Sequence, residues 1–140
     1  MNITTDTPTP APTVWPVIQA TDAKALIEFL VDVLGFEQTV RYADGERVAH
    51  AQLDWPEGGG ILLGSHDPEA ASSSPPGGSG LYVVTERIDE VSARVRQAGA
   101  RITMPLADTH YGSREFTVAD PEGNLWSFGT YRGAPRTAQG

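Results

Sequence analysis

The sequence predicts an α+β fold: two tandem βαβββ modules forming a curved mixed sheet around a cleft. Three observations predict it. A strand-helix-strand-strand-strand order of apolar patterns occurs twice, in blocks of similar length. Each helical pattern stops at a glycine, Gly35 in the first block and Gly99 in the second. The tripeptide Pro-Glu-Gly recurs at a matching place in each block, at 56–58 and 121–123. Self-similarity of this kind marks a duplicated supersecondary unit. One unit leaves half its sheet exposed, whereas two side by side are expected to turn their helical faces outward and curve their sheets around a shared hollow.

Each element has its own signal. Residues 14–20 (VWPVIQA) read as a short strand. Thr21 or Asp22 can cap the following helix, whose Leu26, Phe29, Leu30 and Val33 fall at i, i+3, i+4 and i+7 on one apolar face. Gly35 ends it where a left-handed residue is needed. Strands follow at 36–43 and 46–55, joined by the tight turn Asp44-Gly45. The turn PEGGG then leads into a strand at 61–65. In the second block, 81–85 is a strand, and Ile88, Val91 and Val95 mark a helix face that closes at Gly99. Strands at 100–106 and 114–120 precede the turn PEGN and a last strand at 125–131. The modules therefore span 14–65 and 80–132. Residues 1–13 form a Thr/Pro-rich tail expected to be disordered. Residues 66–79, poor in apolar periodicity, form a flexible connector, and 133–140 form a loose C-terminal tail.

Composition narrows the function. Hydrophobic residues make up 39% and charged residues 20% of 140, as in ordinary globular chains. No apolar run approaches the ~20 residues of a membrane span. The first residues have neither a basic start nor an apolar centre, so no secretory signal is expected. With Cys at 0, disulfides and thiolate chemistry are excluded. A cytoplasmic location is the resulting expectation. The net charge is −8, and Lys24 is the sole lysine among ten basic residues. That leaves no basic stripe for nucleic acid. The charge favours cationic ligands at long range, or serves solubility alone. No Ser-His-Asp set, phosphate loop or dinucleotide fingerprint occurs, and GGG at 58–60 reads as a hairpin turn.

The doubled module, with ATDAKALIEFLVDVLGFE at 20–37 and YGSREFTVADPEGNLWSFG at 111–129, resembles the vicinal oxygen chelate superfamily. That family includes glyoxalase I, extradiol dioxygenases, fosfomycin-inactivating enzymes and the bleomycin-resistance binding proteins, and the resemblance runs over about 14–132. It implies the glyoxalase/bleomycin resistance fold, a small-molecule ligand and a homodimer whose modules pair within or between chains. In metal-dependent members, four cleft-facing positions on the first and last strands of each module supply His, Gln or Glu ligands. The resemblance places these positions at Trp15, at Leu63 (Leu62 if the strand shifts by one), at Gly80 and at Ser127. None is a usual ligand for a divalent metal. His50, His66 and His110 show no metal-site spacing. No metal and no other cofactor is therefore expected.

The cleft is left with rings and small residues. Trp15, Val17 and Gln19 share one strand face. Gly80, Tyr82 and Val84 share another, and Leu125, Ser127 and Gly129 a third. Gly80 and Gly129 are expected to leave room for a bulky flat ligand, although Trp15 and Tyr82 could instead fill their own core. Trp126, of opposite parity, is expected beneath the second helix, and Trp55 at the cleft rim or a subunit interface. Glu115 alternates with Thr117 on its strand. Facing an apolar cleft, Glu115 is expected to have a raised pKa and is, with His50, a weak catalytic candidate. Arg114 or Arg41 could clamp an anion; the plainer reading is a surface pair of Arg114 with Glu115, or of an arginine with Asp108. The ligand-binding set is thus Trp15, Val17, Gln19, Leu63, Tyr82, Val84, Glu115, Ser127 and Trp55. The expected function is metal-independent sequestration of a bulky aromatic small molecule, an antibiotic or other natural product. The alternative is an enzyme of the same fold, a lyase, isomerase or dioxygenase-like catalyst acting on a small organic substrate.

Overall fold

The computed structural model describes residues 11–135, so most of the two expected tails lies outside the described residues. The first module contains β1 (Val17–Ala20), α1 (Ala23–Phe29) running into a π-helical turn (Leu30–Leu34), β2 (Glu37–Asp44), β3 (Arg47–Asp54) and β4 (Gly60–Ser65). The second contains β5 (Gly80–Val84), α2 (Ile88–Gln97), β6 (Arg101–Asp108), β7 (Arg114–Ala119) and β8 (Leu125–Gly129). Each module forms one four-stranded sheet, ordered β1-β4-β3-β2 and β5-β8-β7-β6. In both, the first and last strands pair in parallel and the other pairs are antiparallel.

The first strand begins later than its apolar pattern. Pro16 has no N–H for a ladder, though its carbonyl still accepts from Leu62 N at 2.9 Å. Asp22 caps α1, its Oδ1 accepting from Ala25 N at 3.1 Å. Gly35 closes that helix at φ 96°, a left-handed value that glycine adopts without strain. Arg94 of α2 completes the end: its Nη2 donates to Leu34 O at 2.8 Å and its Nε to Val33 O at 3.2 Å. A cation there satisfies terminal carbonyls and complements the helix dipole. The two helices therefore meet, α2 against the π-helical turn, instead of lying apart on separate outer surfaces.

One buried cluster unites the helix-facing sides of both sheets. Across its middle, aromatic rings from the two modules pack in pairs. Phe36 lies 5.1 Å from Trp55 and 5.4 Å from Trp126, and Trp55 lies 5.6 Å from Phe128. Trp126, fully buried, thus reaches Phe36 of the first module.

The repeated Pro-Glu-Gly turns fasten the modules together. The Glu122 carboxylate accepts from Thr21 N (2.9 Å) and Asp22 N (2.8 Å) at the entrance to α1. Reciprocally, Glu57 accepts from the Thr85 hydroxyl (2.6 Å) and Glu86 N (2.9 Å) before α2. Each turn holds the bend of the other module. Burial would raise the Glu57 carboxyl, but the hydrogen bonds from Thr85 and Glu86 and the nearby Arg87 and Arg132 hold it below its ordinary value. The buried Asp120 organises the second turn. It accepts from Glu122 N (2.8 Å), Asn124 N (3.0 Å), Asn124 Nδ2 (2.9 Å) and Trp126 Nε1 (2.9 Å).

Candidate functional site

The sheet faces turned away from the helices carry the candidate site. Register sets which residues share the open face of the second sheet. Tyr82 lies beside Ser127, and Ser127 beside Thr117; Val84 lies beside Gly129, and Gly129 beside Glu115. Tyr82 does not stand off this face. It lies across β8, with its hydroxyl against Gly129 at the place a Cβ would occupy. From there it donates to Glu115 Oε2 at 2.6 Å and accepts from Tyr131 N at 3.2 Å. The ring stays 43% exposed. Tyr111 reaches the same carboxylate, donating to Oε1 at 2.7 Å, and packs edge-on to Tyr131 with centroids 5.9 Å apart. Tyr82 borders four hollows of about 250, 550, 460 and 500 Å³. They open along the seam of the two sheets, over the second sheet and toward Tyr111.

Electrostatics follow from these contacts. Glu115 is only 8% exposed. Burial pushes its carboxyl up, but hydrogen bonds from Tyr82, Tyr111 and Ser113 outweigh this and hold it below 4.5. The raised value expected for a base is thereby overturned: the sequence signalled the burial but not the donors. Tyr82 is pushed above 10.0 by burial and by donating to Glu115, and Tyr111 by its bond to Glu115 and by burial. The arrangement stabilises a carboxylate and two neutral phenols.

A sequence profile described as the Glyoxalase/Bleomycin resistance protein/Dioxygenase superfamily matches residues 13–128. The chain belongs to this superfamily. No curated protein matches it. Among solved structures, the chain is similar to TioX from Micromonospora sp. ML1, with 30% identity, 91% of this chain and 100% of that chain covered, and a TM-score of 0.72. It is also similar to a superfamily member from Sphaerobacter thermophilus DSM 20745, with 24% identity, 85% and 96% coverage and a TM-score of 0.66. A domain of the same superfamily from Frankia sp. EAN1pec shows 18% identity, 89% and 100% coverage and a TM-score of 0.67. The last two carry the fold alone.

The four positions to which the resemblance assigns metal ligands carry side chains that do not fit a divalent metal. Leu62, not Leu63, faces the open side, paired with Val17, whereas Leu63 pairs with Ile18 and is 2% exposed in the core. Trp15, Leu62 and Gly80 have no side-chain donor suited to a divalent ion, and the Ser127 hydroxyl is 2.8 Å from that of Thr117. Among the described residues no group of three His, Asp or Glu side chains could hold a metal ion.

The structure sorts the remaining site residues. Val17, Tyr82, Val84, Glu115 and Ser127 each border one or more of the hollows that share Tyr82, and Gln19 lies on the same face of β1 as Val17. Trp15 sits in a neighbouring hollow over Gln52 and Asp54, its indole donating to Pro12 O at 3.1 Å. Trp55 leaves the rim: it is 6% exposed between the modules, and its Nε1 donates to Val84 O at 3.0 Å. Gly80 is open, but the space beside Gly129 is filled by Tyr82 and Glu115. His50 stacks beside Tyr42 at 6.2 Å, far along the first sheet. Arg114 pairs with Asp89 (3.0 Å) and Asp108 (3.1 Å) on the surface, and Arg41 reaches Gln38 at 3.4 Å. Tyr111 and Tyr131 were missed by sequence reasoning. Tyr131 continues the parity of Leu125, Ser127 and Gly129, which is a legible signal; Tyr111 sits in a turn, where no period applies.

Proposed function

We propose that this protein is a metal-independent binding protein that holds a bulky aromatic small molecule, an antibiotic or other natural product, against the open face of its second sheet. One observation carries the reading: Tyr82 is laid across Gly129, half exposed, and borders four hollows. A fixed ring presents a stacking platform with little rotamer freedom left to lose on binding. Met104 and Leu125 give apolar walls, and Thr117 and Ser127 give hydroxyls. The likeness to TioX, at 30% identity, supports a shared scaffold. We place the protein in the cytoplasm, as a homodimer with the ligand hollow at its interface, so that the exposed Val17, Met104 and Leu125 meet both the ligand and the second copy. No helix among the described residues is long and apolar enough to cross a membrane.

Tryptophan emission tests the reading, because Trp55 and Trp126 line the seam hollow beside Tyr82. Titration with planar aromatic antibiotics should quench it saturably, with the compound recovered unchanged. Chemical conversion of the compound that depends on an added divalent metal would instead establish the enzyme reading.

A further inference from the structure

We propose that Tyr82, Tyr111 and Tyr131 with Glu115 form a cage for an organic ammonium group, so that the ligand carries a cationic amine beside its aromatic part. The inference rests on the binding reading, since Tyr82 is shared by platform and cage. A hollow of about 500 Å³ is lined by the three tyrosines, Glu115, Val84 and Arg132. The tyrosines are 43%, 51% and 48% exposed, so their rings face solvent. Two phenol hydroxyls are committed to the carboxylate below, at 2.6 and 2.7 Å. That orients those rings and leaves their π faces to the ligand.

The carboxylate supplies the second half. Glu115 is buried and held ionised by hydroxyl donors alone; among the described residues no lysine, arginine or histidine forms an ion pair with it. A buried charge without a counter-charge favours an incoming cation strongly. The nearest basic group on the rim, Arg132, is turned to Glu86 at 3.4 Å. Rings around an anion are the environment that attracts quaternary and alkylated ammonium ions. The net charge of −8 raises the local concentration of cations further. A carboxylate-bearing or phosphorylated ligand meets the opposite field and is disfavoured.

The test compares choline with 3,3-dimethyl-1-butanol, its neutral carbon isostere, by following the backbone amides of Gly129 and Tyr131 by NMR. Choline should bind about tenfold tighter than the isostere. Glu115→Gln should lower the ratio to about threefold, the share left to the rings, and Tyr131→Ala, on an exposed ring after the last strand, should weaken choline by about threefold. Equal affinity of choline and isostere for the unaltered protein overturns the cage. So does a preference that neither substitution lowers. A parallel titration with neutral 2-naphthol reads the aromatic platform by itself. Choline preference without naphthol binding keeps the cage and defeats the aromatic reading; naphthol binding without choline preference does the reverse.

Discussion

Gly129 decides the geometry of the site at the scale of single residues. A methyl group there would strike the Tyr82 hydroxyl and the Glu115 side chain. Gly129→Ala is therefore expected to destabilise by about 1–3 kcal/mol through overpacking and to free the Tyr82 ring, which a thermal melt and a ligand titration would show together. Gly80→Ala, with open space around it, should change stability little. Glu115 makes a pH-dependent contribution. Its carboxyl is held below 4.5, so its stabilisation is present above pH 4.5 and is lost as pH falls through the lower folded value. Tyr82 and Tyr111 are held above 10.0, so theirs is present below pH 10 and is lost as pH rises through the folded values. The melting-temperature gap between wild type and Glu115→Gln should accordingly be largest near neutrality and close on acidification. A gap that widens in acid would contradict the assignment. Sequence parity put Glu115 and Thr117 on one face of their strand, and the register sets them beside Gly129 and Ser127. It could not show that hydroxyls from Tyr82 and Tyr111 converge on Glu115, because those donors come from other strands and turns.

The turns explain more than the strands at the scale of elements. Each residue of Asp120-Pro121-Glu122-Gly123-Asn124 apart from the proline has a contact or backbone task. Asp120 gathers four donors, Glu122 crosses to α1, Gly123 adopts φ 98°, and Asn124 accepts from Ser79 N at 3.1 Å. The motif is thus structural, although its position near the cleft invites a catalytic reading. Asp120→Ala should cost about 3 kcal/mol or more, since it strands the Trp126 N–H in the core. Glu57→Ala and Glu122→Ala should each cost about 1–2 kcal/mol and act on the contact between modules. Chemical denaturation of the single and double variants checks this; losses confined to one of the two turns would break the proposed reciprocity. The repeated tripeptide was visible as an echo, but its reason is a contact across 101 residues of chain, which no local period reveals. The glycine stops and the α2 face of Ile88, Val91 and Val95 were legible because they are local. The first face was legible in part, since Leu26 and Leu30 are buried but the π-helical turn brings Leu34 into the core, Ile27 joins it, and Phe29 and Val33 are left half-buried. The strand face of Leu62 and Leu63 was not, because four successive apolar or small residues at 61–64 give no alternation to fix the parity.

For the whole molecule, duplication was the readable property: two similar patterns became two sheets of identical strand order. How the sheets meet was not readable, since it depends on Phe36, Trp55, Trp126 and Phe128 interlocking along the seam. The open faces leave Val17, Met104 and Leu125 exposed, and in the proposed dimer the ligand and the second copy cover them. Light scattering should give twice the chain mass of 15.0 kDa, and Leu125→Arg should shift the mass toward one chain; a wild-type mass of one chain would remove the dimer. The central claim is that this scaffold grips an aromatic ligand by contact with Tyr82 and without a metal. Calorimetric titration of the wild type and Tyr82→Ala with one planar aromatic ligand, after exhaustive dialysis against chelator, tests it most directly. The expected result is undiminished wild-type binding after chelation and at least about tenfold weaker binding by Tyr82→Ala. Binding that vanishes with the chelator and returns with a divalent metal, or that ignores Tyr82→Ala, would contradict it.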